Sequence, residues 1–233
     1  MCTSDDPRDN RLRPSVWLRF AGKNVIVDTT PDFRTQVLRA RILTLDAVML
    51  THSHADHILG LDDLRPFNFR QGGSIPVYAN EPTMRVVKRV FDYVFSDTRK
   101  ESSVPRLDVH VLDGNPFQMF GQQIIPIELN HGSMIVYGYR IGQLAYLTDH
   151  NRIPESSMEK LKGLDVLFLD ALRYKPHPTH SSVSQSLAIV EKLKPRRTYF
   201  THLCHDISHA QAESMLPQDV HFAYDGLRVE ALL

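Results

Sequence analysis

The chain has 233 residues, 42% hydrophobic and 23% charged, which is enough to build a core of its own. Lys plus Arg equals Asp plus Glu at 27 each, and that neutrality excludes a global field pulling the chain toward nucleic acid or lipid. Two cysteines, Cys2 and Cys204, exclude a disulfide framework; the polar start Thr3-Ser4-Asp5-Asp6 and the lack of an apolar run of roughly 18 residues read as neither leader nor membrane span. These features predict one domain over residues 1–233, in the cytoplasm and without membrane contact.

Residues 1–14 are charged and irregular. Ser15 to Phe20 alternates and Asn24 to Asp28 is short and β-branched, with Ala21-Gly22-Lys23 between them, so a hairpin is expected. Pro31-Asp32 opens a helix in which Phe33, Val37 and Leu38 share a face, with Asp32 as cap or first-turn acid. Next comes the apolar run Ala47-Val48-Met49-Leu50, and after it Thr51-His52-Ser53-His54-Ala55-Asp56-His57.

In an extended backbone His52 and His54 point the same way while Ser53 points away. The chain must then turn, because adjacent Asp56 and His57 could not both reach one point from a straight strand. Three imidazoles and a carboxylate in six residues are first-choice ligands for zinc and related divalent ions, and Ile58-Leu59-Gly60-Leu61 would supply a dry wall. The pattern predicts a metal site.

Asp62-Asp63-Leu64-Arg65-Pro66 reads as loop, Ile75 to Tyr78 as a strand, and Glu81 to Phe95 as a helix with an apolar face of Val86, Val87, Val90, Phe91 and Val94. Strands are expected at 109–111, 117–120, 123–129, 135–141 and 144–147, broken by Gly114, Gly121, Gly132 and Gly142. The last third alternates: helix 155–161, strand 166–169, helix 184–193, strand 198–200, helix 210–216. Two sheets with helices outside them make an α/β four-layer αββα sandwich. His131, Asp149, Asp170 and His202 each stand where an apolar strand stops, the place from which rigid elements aim side chains into a shared cleft.

The His52–His57 stretch resembles the signature loop of the metallo-β-lactamase fold, and the order of the strand-end residues matches that fold over nearly the whole chain. The resemblance implies a dinuclear centre of zinc or manganese, with iron a third option. In the family pattern His52, His54 and His131 hold the first ion, Asp56, His57 and His202 the second, and Asp149 bridges. Asp28, in Asp28-Thr29-Thr30-Pro31-Asp32, and Thr51 would support these ligands from behind. Two cations close together depress the pKa of a shared water, to around 7 for zinc, and Asp56 is counted with the catalytic residues.

Redox di-iron members carry an acid where this chain has Ser53, and thioesterase members add a helical C-terminal domain where little follows His202. The best fit is the phosphodiesterase branch, PhnP-like cyclic-phosphate phosphodiesterases and tRNA 3′-processing endonucleases. Pro178-Thr179-His180-Ser181-Ser182 resembles their additional catalytic histidine loop, with Asp170 as the acid that orients His180. An imidazolium there can stabilise nonbridging oxygens and protonate a departing alkoxide; the alternative is a surface histidine capping the next helix at Ser181. His150, His177, His209, His110 and His221 receive no role.

Residues 150–180 are too few and not basic enough for the projecting arm of the tRNA enzymes, so the expected partner is a small phosphodiester or cyclic phosphate, with a homodimer as the assembly if the chain associates. An RNA-processing endonuclease and a noncatalytic metal-binding scaffold are the alternatives. PhnP-like proteins also hold a structural zinc near their start. By that pattern Cys2 and His205 look like half of a remnant site, Cys204 is a buried thiol outside it, and the first family strand is missing beside Val16 to Phe20.

Overall fold

A computed structural model describes residues 3–96 and 102–233. Two compact units divide the chain, residues 13–113 in one and residues 114–233 with the first twelve in the other.

In the first unit β1 (Val16–Phe20) and β2 (Lys23–Val27) pair antiparallel. Ala21 and Gly22 between them both have positive φ, 48° and 72°, as the tight right-twisted hairpin turn demands. Helix α1 (Phe33–Ala40) follows, then β3 (Ala47–Met49), the single turn α2 (Ala55–Ile58), α3 (Arg65–Gln71), β4 (Ile75–Asn80), α4 (Glu81–Val90), α5 (Asp92–Phe95) and β5 (Leu107–Leu112). The sheet order is β1-β2-β3-β4-β5, with every pair after the first parallel. β1 is an edge strand among the described residues.

The second unit contains β6 (Phe117–Met119), β7 (Gln122–His131), β8 (Met134–Ile141), β9 (Leu144–Leu147), α6 (Glu155–Glu159), β10 (Val166–Asp170), α7 (Val183–Leu193), β11 (Arg197–Thr201), α8 (His209–Glu213) and β12 (Val220–Phe222). Its order is β12-β11-β10-β9-β8-β7-β6; β9 to β12 run parallel and β6 to β9 antiparallel. The near-continuous apolar runs of β9 and β10 suit parallel strands covered on both faces, and nearly all their residues are buried.

Each unit has its own apolar cluster. Ile26, Phe33, Val48, Leu61, Leu64 and Val87 lie in the first, Leu129, Val136, Leu147, Leu169, Phe200 and Phe222 in the second. Among the described residues no helix is long and apolar enough to cross a membrane.

Several elements depart from the sequence reading. Leu38 is 68% exposed while Phe33 and Val37 are buried, because a 3.6-residue period turns position 38 away from the face shared by 33 and 37. Asp32 occupies the N-cap of α1 without capping it; its Oδ2 accepts the backbone N–H of Arg13 instead. The segment around Pro66 is helical, since proline is tolerated in a first turn, where an N–H would lack an intrahelical partner anyway. The helix expected over Glu81–Phe95 breaks at Phe91, whose φ and ψ of −109° and 41° are not helical, and Val90 is 40% exposed. Phe120 leaves the strand for a hairpin turn with Gly121, both at positive φ. β12 has no counterpart in the sequence reading.

Candidate metal centre

In the first unit β3 delivers the histidine stretch. Its three residues are fully buried, the N–H of Leu50 bonds to the carbonyl of Tyr78, and His54 becomes the N-cap of α2 with extended backbone. The turn required by Asp56 and His57 is α2 itself. His52 and His57 are fully buried with ring centroids 4.2 Å apart, and His52 meets the more exposed His54 at 4.6 Å. Oδ2 of Asp56 lies 3.9 Å from Nε2 of His57 and 3.3 Å from Nη1 of Arg13.

Asp28, at φ 67° beyond the end of β2, sits fully buried behind this group. Its Oδ1 accepts the N–H of Thr51 at 2.8 Å; its Oδ2 accepts the Thr51 hydroxyl at 2.8 Å and faces Nδ1 of His57 at 2.8 Å. Burial pushes this carboxyl up, opposed by the neighbouring His57 imidazole and the three hydrogen bonds. Since the Thr51 hydroxyl proton goes to Asp28, Thr51 Oγ1 accepts from Nδ1 of His52 at 3.0 Å. One carboxylate thus fixes the tautomer of both rings and leaves each Nε2 a lone pair for a cation. Gly60 ties the loop down: its N–H bonds to Thr29 O, and a Cβ there would stand 2.0 Å from Thr30 O.

The second unit offers a matching donor set. His131 ends β7, and its Nδ1 donates to Thr179 O at 2.7 Å, again presenting Nε2. Asp149 follows β9 and His202 follows β11, both in the left-handed backbone region at φ 49° and 57°, a strain that clusters at functional sites. Oδ2 of Asp149 is 3.3 Å from Nε2 of His202 and 3.9 Å from Nε2 of His180. The His180 ring stacks on His202 at 4.8 Å and meets His131 edge-on at 4.7 Å.

His180 is held by Asp170. The fully buried carboxylate faces Nδ1 of His180 at 3.0 Å through Oδ2, which also accepts the N–H groups of His150 and Ser181. The helix cap is Ser182, in a capping box with Gln185, so His180 is not a capping residue and Ser181 is not the cap. His177 approaches His180 at 5.1 Å, its pKa pushed below the ordinary value by burial, His180 and Arg173. His150 is fully buried, neither ring nitrogen has a hydrogen-bond partner among the described residues, and burial lowers its pKa.

Both donor sets fit divalent cations: imidazoles, those of His52, His57 and His131 held at Nδ1 by buried acceptors, beside carboxylates. The support at Thr179 O is not expected from the sequence, because a backbone carbonyl leaves no residue-type signal. His205 stays apart, its side chain 78% exposed and its Nε2 3.4 Å from Asp206. Cys2 lies outside the described residues, so its pairing with His205 does too. Cys204 is half-buried, accepts the N–H of Asp206 at Sγ, and has its pKa raised by burial.

Residues 23–203 match the family described as "Beta-lactamase superfamily domain". A crystal structure described as a new diphosphatase from the PhnP family superimposes with a TM-score of 0.91 at 51% identity, over 97% of this chain and 86% of that one. An octanoyltransferase of Porphyromonas gingivalis is 35% identical over 97% of this chain and 46% of its own length. A ribonuclease Z of Methanococcus maripaludis is 22% identical over 69% of this chain and 50% of its own. The chain spans about half the length of these two relatives. The two-sheet α/β architecture is therefore the metallo-β-lactamase fold, and the chain belongs to the β-lactamase superfamily and, within it, to the PhnP family.

Proposed function

We propose that this hydrolase acts as one metallo-hydrolase domain that cleaves a small phosphodiester or cyclic phosphate, with His180 as general acid. His52, His54 and His131 would hold one cation, Asp56, His57 and His202 a second, and Asp149 both. When bound, two divalent ions of zinc, manganese or iron lower the pKa of water toward neutrality and offset phosphoryl charge.

The observation that carries the reading is His180 between two carboxylates. Asp170 holds Nδ1 and turns Nε2 toward Asp149, 3.9 Å away. A proton held there reaches the departing oxygen of a phosphodiester, which leaves as an alcohol and not as an alkoxide. Asp170 is fully buried and also takes two backbone N–H groups, so the ring has little freedom to turn.

A diphosphate is the second reading, favoured by the 51% identical PhnP-family relative described as a diphosphatase. Its linkage is also broken by hydrolysis, with phosphate as leaving group. The ribonuclease Z likeness supports the phosphodiester bond type, while the even charge balance favours a small substrate over RNA. The octanoyltransferase has more than half its length outside the match, so its named activity is not carried over. The cytoplasm is part of the same proposal, from the two cysteines.

Turnover of cyclic phosphates, linear phosphodiesters and diphosphates by metal-stripped protein reloaded with zinc, manganese or iron tests it. Preferred hydrolysis of a phosphodiester, abolished by stripping, is expected. Hydrolysis of diphosphates alone would select the second reading, and no phosphorus substrate turned over with any metal would end both.

A further inference from the structure

The segment after Asp149 touches the His180 loop at more points than chain continuity requires. Asn151 Oδ1 accepts the N–H of Gly132 at 3.0 Å, and Asn151 Nδ2 donates to Pro178 O at 2.9 Å. The first contact needs an acceptor and the second a donor, so the amide has one orientation. Gly132 follows His131 directly, and Pro178 lies two residues before His180. At the same place the Ser181 hydroxyl donates to His150 O at 3.0 Å, and His131 Nδ1 donates to Thr179 O. The two loops are in contact: a Cβ on Gly132, which has φ 62°, would stand 2.9 Å from Cγ2 of Thr179.

We infer that Asn151 is a positioning residue, a side-chain strut that joins the His131 hairpin to the His180 loop and sets where Nε2 of His180 stands relative to Asp149. Asp170 fixes the rotation of the His180 ring, but its hydrogen bonds to the His180 side chain and the Ser181 N–H do not reach residues 177–179, where Nδ1 of His131 holds Thr179 O. Asn151 supplies a second tie, at Pro178, and anchors it to the β-hairpin that carries His131. Without it the loop can swing about the Asp170 contact, carrying the proton donor away from the leaving group while the ring keeps its carboxylate partner. The inference rests on His180 acting as general acid.

Asn151→Asp is isosteric and keeps an acceptor for Gly132, but sets a charged oxygen against Pro178 O in place of the donor; Asn151→Ala removes both contacts without adding charge, so the expected effect must appear in both variants. Two substrates are compared, bis-para-nitrophenyl phosphate, whose phenolate leaves unaided, and a ribonucleoside cyclic phosphate, whose alkoxide needs a proton. A displaced proton donor should slow the second by roughly tenfold to a hundredfold and the first far less. A merely structural defect would slow both alike, and that result, or unchanged rates, would overturn the inference.

Amide hydrogen exchange is read in parallel on the same proteins. Faster exchange at Thr179 and Ser181 in Asn151→Asp is expected; unchanged exchange there would show that no strut was removed. Because exchange needs no turnover, wild-type protein inactive on both substrates would defeat the proposed function while the strut is still decided.

Discussion

Nδ1 of His57 lies 2.8 Å from Oδ2 of Asp28, and neither side chain is exposed to solvent. The same oxygen accepts the Thr51 hydroxyl, through which it also orients His52. A single acid at the end of one strand therefore aims two imidazoles carried by the next. Asp28→Asn keeps the size and leaves one oxygen for three donors, so part of this set must face an NH2 group. Supports of this kind change metal affinity by about tenfold to a hundredfold. Competition against a chelator of known affinity should show a loss of that size, and unchanged affinity would mean that Asp28 supports only the fold.

Gly60 connects the same loop to the turn after Asp28. The 2.0 Å distance from a Cβ at position 60 to Thr30 O cannot be relieved by a side-chain rotation, because the obstacle is backbone. Gly60→Ala should cost about 1–3 kcal/mol in thermal or denaturant unfolding, as overpacking does. Gly73→Ala is the control, since nothing among the described residues lies within 4 Å of a Cβ there.

Residues that bear chemistry in their side chains are legible from sequence. The run from His52 to His57, together with the strand-end positions of His131, Asp149 and His202, marks the candidate ligands, since few other residue types bind such cations. What fixes those side chains is largely hidden. Thr179 contributes a carbonyl, Gly60 contributes the absence of a Cβ, and Leu50 is secured by the main chain of Tyr78, none of which a residue type records. The fold errors are of the same kind: Pro66 reads as a breaker until its place in a first turn is known, and Leu38 reads as buried until the helix phase is set by Phe33 and Val37.

Away from the centre, Asp165 gives a pH test of stability. Its carboxylate accepts hydrogen bonds from Nε of Arg196 and from Nη2 of Arg197, the latter at 3.0 Å, and the carboxyl is 4% exposed. The Arg196 hydrogen bond leads in holding its pKa below the ordinary aspartate range, against the opposing effect of burial. A folded-state pKa below the unfolded one means that the stabilisation is complete above the unfolded value and is lost as pH falls through the folded one. Asp165→Asn should accordingly melt at a lower temperature than the parent at neutral pH, with the gap closing as the pH is brought below the ordinary aspartate range. A gap that stayed constant into strong acid would show that the ion pair is not its source.

His180 carries the sharpest functional prediction. It is 8% exposed, stacked on His202, and tied to Asp170 through Nδ1, while the proposed ligand set does not require it. His180→Ala should therefore keep its metal content by elemental analysis and lose turnover on substrates whose leaving group needs a proton, by about a hundredfold to ten-thousandfold. Asp170→Asn should fall between parent and His180→Ala, since it leaves the imidazole in place but weakens the contact that orients it through Nδ1. Were His180 a ligand, metal would be lost together with activity and no leaving-group dependence would appear. Were it a bystander, the rate on a poor leaving group would survive the substitution. Metal content and leaving-group dependence measured on the same preparation separate the three cases.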